Sequence, residues 1–419
     1  LSTFHINLHE AIYSLSDALD LVGVTHIHHG KRVAFIATEI AKRAKWAPQQ
    51  LDSLFQAAIL HDCGVSKTLI HAQVAQFEWE MEQEHCVLGA ELLESCELLK
   101  PLAGLVRFHH THWDELQDVT LTPEEKLAAN CIYLADRIDI SCLTASGTCD
   151  NLLLTKNDVC RRIQEKRSTW FEPTLVDCFM EVASSEAFWF ALEGEHVNGY
   201  IAQWMFDSRA VDICFKELRD LVRVFSRIVD AKSVFTREHS EGVASLSSYL
   251  GHLLGLGERT CEMLELAGLL HDLGKLRVPD ELLEKNGKLT PLEYATVQRH
   301  SFDTYNILRK IHGFEDISLW AGQHHERMDG SGYPYHRSGN EISLESRIVA
   351  ASDVFQALAQ TRPYRGPLPP AVVLDMMKEQ VQIGKLDPVV VDTIAQNLEN
   401  CHRVAIASEL QRTSRLSPV

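Results

Sequence analysis

The feature that most constrains this chain is a set of histidines and aspartates that occurs twice, in the same order and at nearly the same intervals. In the second half it runs His239, His271-Asp272, His300, His324-His325, Asp353, and in the first half His29, His61-Asp62, His85, His109-His110, Asp136. The lone His precedes the His-Asp pair by 32 residues in both halves, and the third His precedes the His-His pair by 24 in both. The other intervals differ by a few residues, as loops between helices do. Flanking residues agree too: Ala58-Ile59-Leu60 leads into the first His-Asp pair and Gly268-Leu269-Leu270 into the second, with Gly64 and Gly274 two residues beyond as expected helix stops. Past the last Asp, Glu172-Pro173 echoes Asp387-Pro388. A chain of 419 residues exceeds what one core usually supports, and the repeat makes it two copies of one domain, joined near Gly194 to Ser208. The expected organisation is an N-terminal domain over 1–195, a linker and leading helix over 196–230, a second domain over 231–400 and a tail over 401–419.

Each copy reads as all-α. Val33, Ile36, Ala37, Ile40, Ala41 and Ala44 recur at helical spacing after His29, as do Val243, Leu246, Leu250, Leu253 and Leu254 after His239. The long β-branched alternations of a sheet are missing. Two helical bundles should therefore project their ligands inward from several helices.

The net charge of −18 argues against DNA or RNA polymers as partners, which need basic surface to displace counterions. No run of 18 apolar residues suggests a membrane span, and the first twenty residues hold no Lys or Arg of a signal peptide. The eleven cysteines contain no C-x-x-C pair and read as reduced thiols of a cytoplasmic protein. Cys131, Cys142 and Cys149 fit no zinc spacing.

Five imidazoles and two carboxylates per copy suit a borderline transition metal such as iron, manganese or nickel, whereas calcium prefers oxygen. Seven groups are too many for one ion that keeps an open position. They fit two ions sharing the Asp of the His-Asp pair, a recurring arrangement for cleaving phosphate esters.

The second half resembles the HD-GYP family, a branch of the HD phosphohydrolases. The resemblance rests on His271-Asp272-Leu273-Gly274-Lys275, on the stretch from His324 through Asp329, Gly330, Gly332, Tyr333 and Pro334, and on Asp353 followed by Arg362-Pro363-Tyr364-Arg365. It implies hydrolysis of cyclic di-GMP or cyclic GMP-AMP to a linear dinucleotide. It implies metal ligation by His239, His271, Asp272, His300, His324, His325 and Asp353, and a catalytic part for Asp272 and Lys275. Tyr333, Arg362 and Arg365 would contact substrate, while Gly330, Gly332 and Pro334 shape their loop. Members with three metals carry a Glu four residues before the first His. That position is Phe235, and Glu238 is a poor substitute, so two metals are expected.

The first half keeps His29, His61, Asp62, His85, His109, His110 and Asp136 but has Val65 at the Lys275 position and no GYP. It resembles a plain HD domain, a group that includes 5′-nucleotidases. One or two further metals and removal of the 5′-phosphate from the linear product are the expectation, with a regulatory or dimerising relic as the alternative. His26 and His28 read as surface residues. The tandem layout resembles phosphodiesterases acting on 3′,3′-cyclic GMP-AMP, with cyclic di-GMP close behind. A general nucleotide phosphohydrolase and a cyclic-dinucleotide sensor without turnover are the rivals. A homodimer is compatible with either.

Overall fold

The computed structural model describes residues 2–22, 28–65, 83–146, 152–206, 210–232, 239–285, 287–360 and 366–407. His26, Phe235, Glu238, Arg362, Arg365 and Cys149 lie outside them. The chain divides into two compact units, Asn7–Val211 and Leu1–Ile6 with Asp212–Val419. The described residues are overwhelmingly helical, as expected.

The first unit is built on α1 (Leu8–Leu19), α2 (His29–Arg43), α3 (Pro48–Ile59), α4 (Glu84–Glu94), α5 (Ala103–Arg107), α6 (Pro123–Ser146), α7 (Lys156–Glu165), α8 (Pro173–Val182), α9 (Glu186–Phe190) and α10 (Gly194–Phe206). Helix α2 packs on α3 and α6, burying Val33, Ile36, Ala37, Ile40 and Ala41 as one stripe. Burying each larger aliphatic side chain contributes about 1.5–3 kcal/mol, which fixes α2 against its neighbours.

The second unit repeats this frame. Helix α11 (Phe215–Asp230) leads into α12 (His239–Leu253), α13 (Glu258–Leu270), a 3-10 turn at Leu273–Arg277, α14 (Asp280–Leu283), α15 (Pro291–Leu308), α16 (Glu315–Gly322), α17 (Leu344–Ala359), α18 (Pro370–Gln382), α19 (Pro388–Gln396) and α20 (Leu398–Ala405). Helix α12 packs on α13 and α17 as α2 does on α3 and α6. Val243, Leu246 and Leu250 are buried, but Leu253 ends the stripe 37% exposed. The repeated acid-proline dipeptides start equivalent helices. Glu172 accepts a hydrogen bond from Leu175 N at 2.7 Å, and Asp387 one from Val389 N at 2.7 Å, each ahead of a Pro at the first helical position.

Among the described residues, one two-stranded sheet departs from an all-helical reading. Thr3–Ile6 (β1) pairs with Val211–Cys214 (β2) in a short ribbon. Phe4 and Ile6 point inward, and Arg259 donates to Thr3 O at 2.8 Å while its guanidinium covers the Phe4 ring. Residues 2–6 thus belong with the second unit, whereas the sequence grouped them with the first.

Gly64 and Gly274 have a different task from the helix-stopping one expected. Neither has a positive φ. A Cβ on Gly274 would lie 2.1 Å from His300 O, and one on Gly64 2.0 Å from His85 O. Glycine is needed there because the turn after each His-Asp pair touches the backbone of the helix carrying the third His.

Candidate metal centres

In each unit the seven residues come together from separate elements. His239 opens α12, His271-Asp272 follows α13, His300 sits on α15, His324-His325 follows α16 and Asp353 sits on α17. His29, His61-Asp62, His85, His109-His110 and Asp136 hold the matching places on or after α2, α3, α4, α5 and α6.

Short-range hydrogen bonds aim the rings. Nδ1 of His271 lies 2.7 Å from Gly268 O, that of His300 2.6 Å from Val297 O and that of His324 2.6 Å from Ala321 O. In the first unit His61 and His109 bond in the same way to Ala58 O at 2.8 Å and Val106 O at 2.6 Å. A carbonyl only accepts, so Nδ1 carries the proton and Nε2 presents a bare lone pair to the centre. Burial, then the charge of neighbouring imidazoles, holds His109 and His325 down to about 3, so both rings stay neutral and able to bind a cation.

The carboxylate of each His-Asp pair faces two ways. Asp272 Oδ2 lies 3.3 Å from His271 Nε2 and 3.9 Å from His239 Nε2, while its Oδ1 lies 3.6 and 3.8 Å from Nε2 of His300 and His324. Asp62 repeats this, with Oδ2 at 3.4 and 3.7 Å from His61 and His29 and Oδ1 at 3.7 and 3.8 Å from His85 and His109. Most of these separations are too long for hydrogen bonds, and all suit atoms sharing a cation between them. His239, His271 and Asp353 form one cluster and His300, His324 and His325 another, each with ligand atoms within 4.8 Å of one another.

The buried atoms left over point the same way. His271 Nε2 and Asp272 Oδ1 have no hydrogen-bond partner, nor do Nε2 of His29, His61 and His110 or Oδ1 of Asp62 and Asp136. An unsatisfied buried polar atom costs about 1–3 kcal/mol, and these converge where a cation would satisfy them together. The donor set therefore fits divalent metals. Burial alone would raise Asp272 and Asp62, but the facing charges win: His271 and Lys275 hold Asp272 well below the usual carboxylate range, and His61 and His85 bring Asp62 to about 2.

Supporting residues distinguish the two centres. Lys275 Nζ donates to Asp272 Oδ2 at 2.6 Å and is 22% exposed at the rim. Among the described residues, no such cation stands beside Asp62. There Arg137, itself fully buried, donates to Asp136 Oδ2 at 2.7 and 3.0 Å. The second ring nitrogen of the first His is held by the residue three places after the last Asp. His29 Nδ1 meets Asp139 Oδ2 at 2.7 Å, and Arg32 clamps Asp139 at 2.5 and 3.0 Å. His239 Nδ1 instead donates to the amide oxygen of Gln356. Burial lowers both imidazoles. It prevails at His239, whereas the facing carboxylates of Asp136 and Asp139 raise His29 to about 10.

Tyr333 lies against the second centre, its ring centroid 4.8 Å from that of His325. Glu326 fastens the loop, accepting from Tyr335 N at 2.7 Å and Arg337 N at 3.0 Å. Sequence reasoning missed Glu326, Asp139, Arg32 and Gln356. Asp139 and Gln356 share a position, one helical turn after the final Asp and on the same face, but their side chains are chemically unlike.

The same two regions match known domains. Residues 27–141 and residues 223–390 each match a family model described as an HD domain. The chain is 38% identical to 3′3′-cGAMP-specific phosphodiesterase 1 of Vibrio cholerae over 96% of its own length and 95% of that protein's. It is 36% identical to the cyclic di-GMP phosphodiesterase response regulator RpfG of Xanthomonas campestris over 45% of this chain and 52% of that one. A crystal structure of a cyclic GMP-AMP-specific phosphodiesterase of V. cholerae, V-cGAP3, superposes with a TM-score of 0.62 at 25% identity, covering 95% of this chain and 98% of that one. Two domain matches and a relative alike along almost its entire length agree with the paired centres: the chain belongs to the HD-domain phosphodiesterases and carries two HD domains.

Proposed function

We propose that the second unit opens the ring of a cyclic dinucleotide, preferring 3′,3′-cyclic GMP-AMP over cyclic di-GMP, and releases a linear dinucleotide with a 5′-phosphate. The observation that carries this reading is the two-sided Asp272 with Lys275 on its outer oxygen at 2.6 Å. The base preference is supported by the full-length likeness to a 3′3′-cGAMP-specific enzyme.

On this reading His239, His271, Asp272, His300, His324, His325 and Asp353 hold two divalent transition metals, iron, manganese or nickel. Such ions, when bound, supply positive charge against phosphate oxygens and make water more acidic. The protein's own part is to orient and to balance charge. Asp272 reaches both clusters and fixes their spacing. Lys275, partly exposed at the rim, can turn its ammonium from Asp272 to a phosphate oxygen as charge builds there. Tyr333 offers a ring face and a hydroxyl beside His325 for the dinucleotide. Arg362 and Arg365 complete the phosphate contacts.

For the first unit, the repeated two-sided geometry of Asp62 favours a second metal-dependent step, removal of the 5′-phosphate from the linear product. Incubating metal-loaded protein with each cyclic dinucleotide and separating the products tests both assignments. The expected products are a linear dinucleotide from the ring-opening step and free phosphate from the second, with the phosphate lost and the linear 5′-phosphorylated product accumulating in His61→Ala/Asp62→Ala. Ring opening that survives His271→Ala/Asp272→Ala would overturn the assignment to the second unit. Tight binding without any product would make the protein a sensor, and release of phosphate from ordinary nucleotides alone a general phosphohydrolase.

A further inference from the structure

One residue inside the first centre has no part in the reading above. Cys86 follows His85 directly, is fully buried, and turns its sulfur to the imidazoles: Sγ lies 3.4 Å from His85 Nε2 and 4.0 Å from His109 Nε2. The ligand atoms of His85, Cys86, His109 and His110 all lie within 4.8 Å of one another. His110 Nε2 is buried there without a hydrogen-bond partner, its side chain 9% exposed. A buried cysteine ordinarily behaves as a small apolar residue among apolar neighbours. Cys63, two residues after His61, is closer to that ordinary state, with Sγ directed at Gly89 O at 3.7 Å. Cys86 faces the metal-ligating edges of two rings instead.

The distances match a shared ion. Zinc holds thiolate sulfur at about 2.3 Å and imidazole nitrogen at about 2.0–2.1 Å, which in a tetrahedral arrangement sets sulfur and nitrogen roughly 3.6 Å apart. The other centre supplies an internal control. Ser301 occupies the equivalent place after His300, its Oγ 3.3 Å from His300 Nε2. A neutral hydroxyl is a poor ligand for such ions, so the cluster of His300, His324 and His325 keeps a position for water or substrate.

We propose that Cys86 is a metal ligand, making the cluster of His85, His109 and His110 a sulfur-containing site for a thiophilic ion such as zinc. The proposal rests on the reading of the first centre as metal-binding. On binding, the thiol gives its proton to solvent and the thiolate fills the position that Ser301 leaves open in the second unit. A closed set of protein ligands holds an ion firmly and withholds it from substrate. Any hydrolytic step in the first unit then falls to the neighbouring cluster of His29, His61 and Asp136. Thiolate ligation also separates the two centres by metal preference, since sulfur selects zinc and related ions over manganese.

Cobalt(II) reports a thiolate ligand directly, through an intense near-ultraviolet charge-transfer band. The full-length protein carrying His271→Ala/Asp272→Ala, loaded anaerobically with cobalt, is expected to show that band. Adding Cys86→Ser should abolish it, whereas adding Cys63→Ser should leave it intact. Cobalt bound without the band overturns the assignment of Cys86 and leaves metal binding standing. A first centre that takes up no cobalt overturns the reading on which the proposal rests. If Cys86→Ser does not fold, X-ray absorption on the zinc-loaded parent decides instead: a sulfur neighbour at about 2.3 Å supports the proposal, and a shell of nitrogen and oxygen alone overturns it.

Discussion

The two centres share a set of five histidines and two aspartates, one of the aspartates two-sided, yet they are supported in opposite ways. In the first, the cations are locked inside: Arg32 and Arg137 are each 1% exposed and bound to Asp139 and Asp136. In the second, the cation that the described residues place at the site is Lys275, which is 22% exposed and bound to Asp272. A guanidinium forked onto a buried carboxylate is a fixed structural part, because leaving either partner alone in the interior is costly. A lysine at the rim keeps the freedom to meet an incoming anion. The supporting pairs also exchange as units. Where the first unit has Arg32 and Asp139, the second has Gly242 and Gln356, and a Cβ on Gly242 would lie 2.8 Å from Gln356 Cγ. A Cβ at position 242 would also lie 2.4 Å from Ala405 O, so the glycine serves the approach of α20 as well as that of the Gln356 side chain. The comparison teaches that identical ligands do not make equivalent sites. On the proposed function, what surrounds them would direct one centre towards retention and the other towards exchange with substrate.

The sharpest way to break this comparison is to remove each centre in turn. His271→Ala/Asp272→Ala should lower ring opening by at least about 1,000-fold, since metal contacts at a phosphate are worth several kcal/mol. His61→Ala/Asp62→Ala should change the same step by less than about threefold while removing metal from the first unit. Product chromatography with metal analysis on both variants measures this, and equal losses would mean that the centres serve one step together. Next in size is Lys275→Met, which keeps the stem and removes the charge. It should cost about 100-fold in kcat/KM with metal content unchanged, the usual loss for one group stabilising transition-state charge. A loss under threefold would make Lys275 a structural partner of Asp272, as Arg137 is of Asp136.

The locked pair of the first unit can be tested through stability. Asp139→Ala takes the carboxylate away from the buried Arg32 guanidinium and should destabilise the first unit by about 3–5 kcal/mol. Arg32→Gly/Asp139→Gln copies the arrangement at Gly242 and Gln356 and should recover most of that loss, less about 1 kcal/mol for glycine within α2. Chemical denaturation followed on the first unit checks both variants. If the double variant is no better than Asp139→Ala, the two pairs are not interchangeable devices.

Much of this was legible before any coordinates. The repeat fixed two helical domains, and its spacing brought each set of seven side chains into one centre. The clustering of these side chains was readable because their identities are rare in combination and their intervals are set by helix lengths. The supporting residues were not, since Asp139 and Gln356 are chemically unlike and acquire a common role only when both bond the same ring nitrogen. The purpose of Gly64 and Gly274 was hidden for a related reason: a backbone approach of about 2 Å to a notional Cβ leaves no trace in local sequence. The ribbon of β1 and β2 escaped because it joins segments some two hundred residues apart.

The smallest effect concerns Gln356, and it separates retention from exchange within one side chain. Its amide oxygen accepts from His239 Nδ1, which fixes the tautomer and leaves Nε2, 3.1 Å from Asp353 Oδ1, to face the centre. Removing such an outer partner typically weakens metal binding by about 10–100-fold without dismantling the ligand set. Gln356→Ala should therefore raise the metal concentration needed for half-maximal activity by that factor. Its activity at saturating metal should stay within about threefold of the parent, and its unfolding free energy should fall by only about 1–2 kcal/mol. The contrast with Asp139→Ala follows from charge: Gln356 leaves no ion behind when it is removed, whereas Asp139 abandons Arg32. A loss of activity in Gln356→Ala that excess metal cannot restore would mean that the amide positions substrate as well as His239, and the second centre would then depend on its supporting residue more tightly than the first.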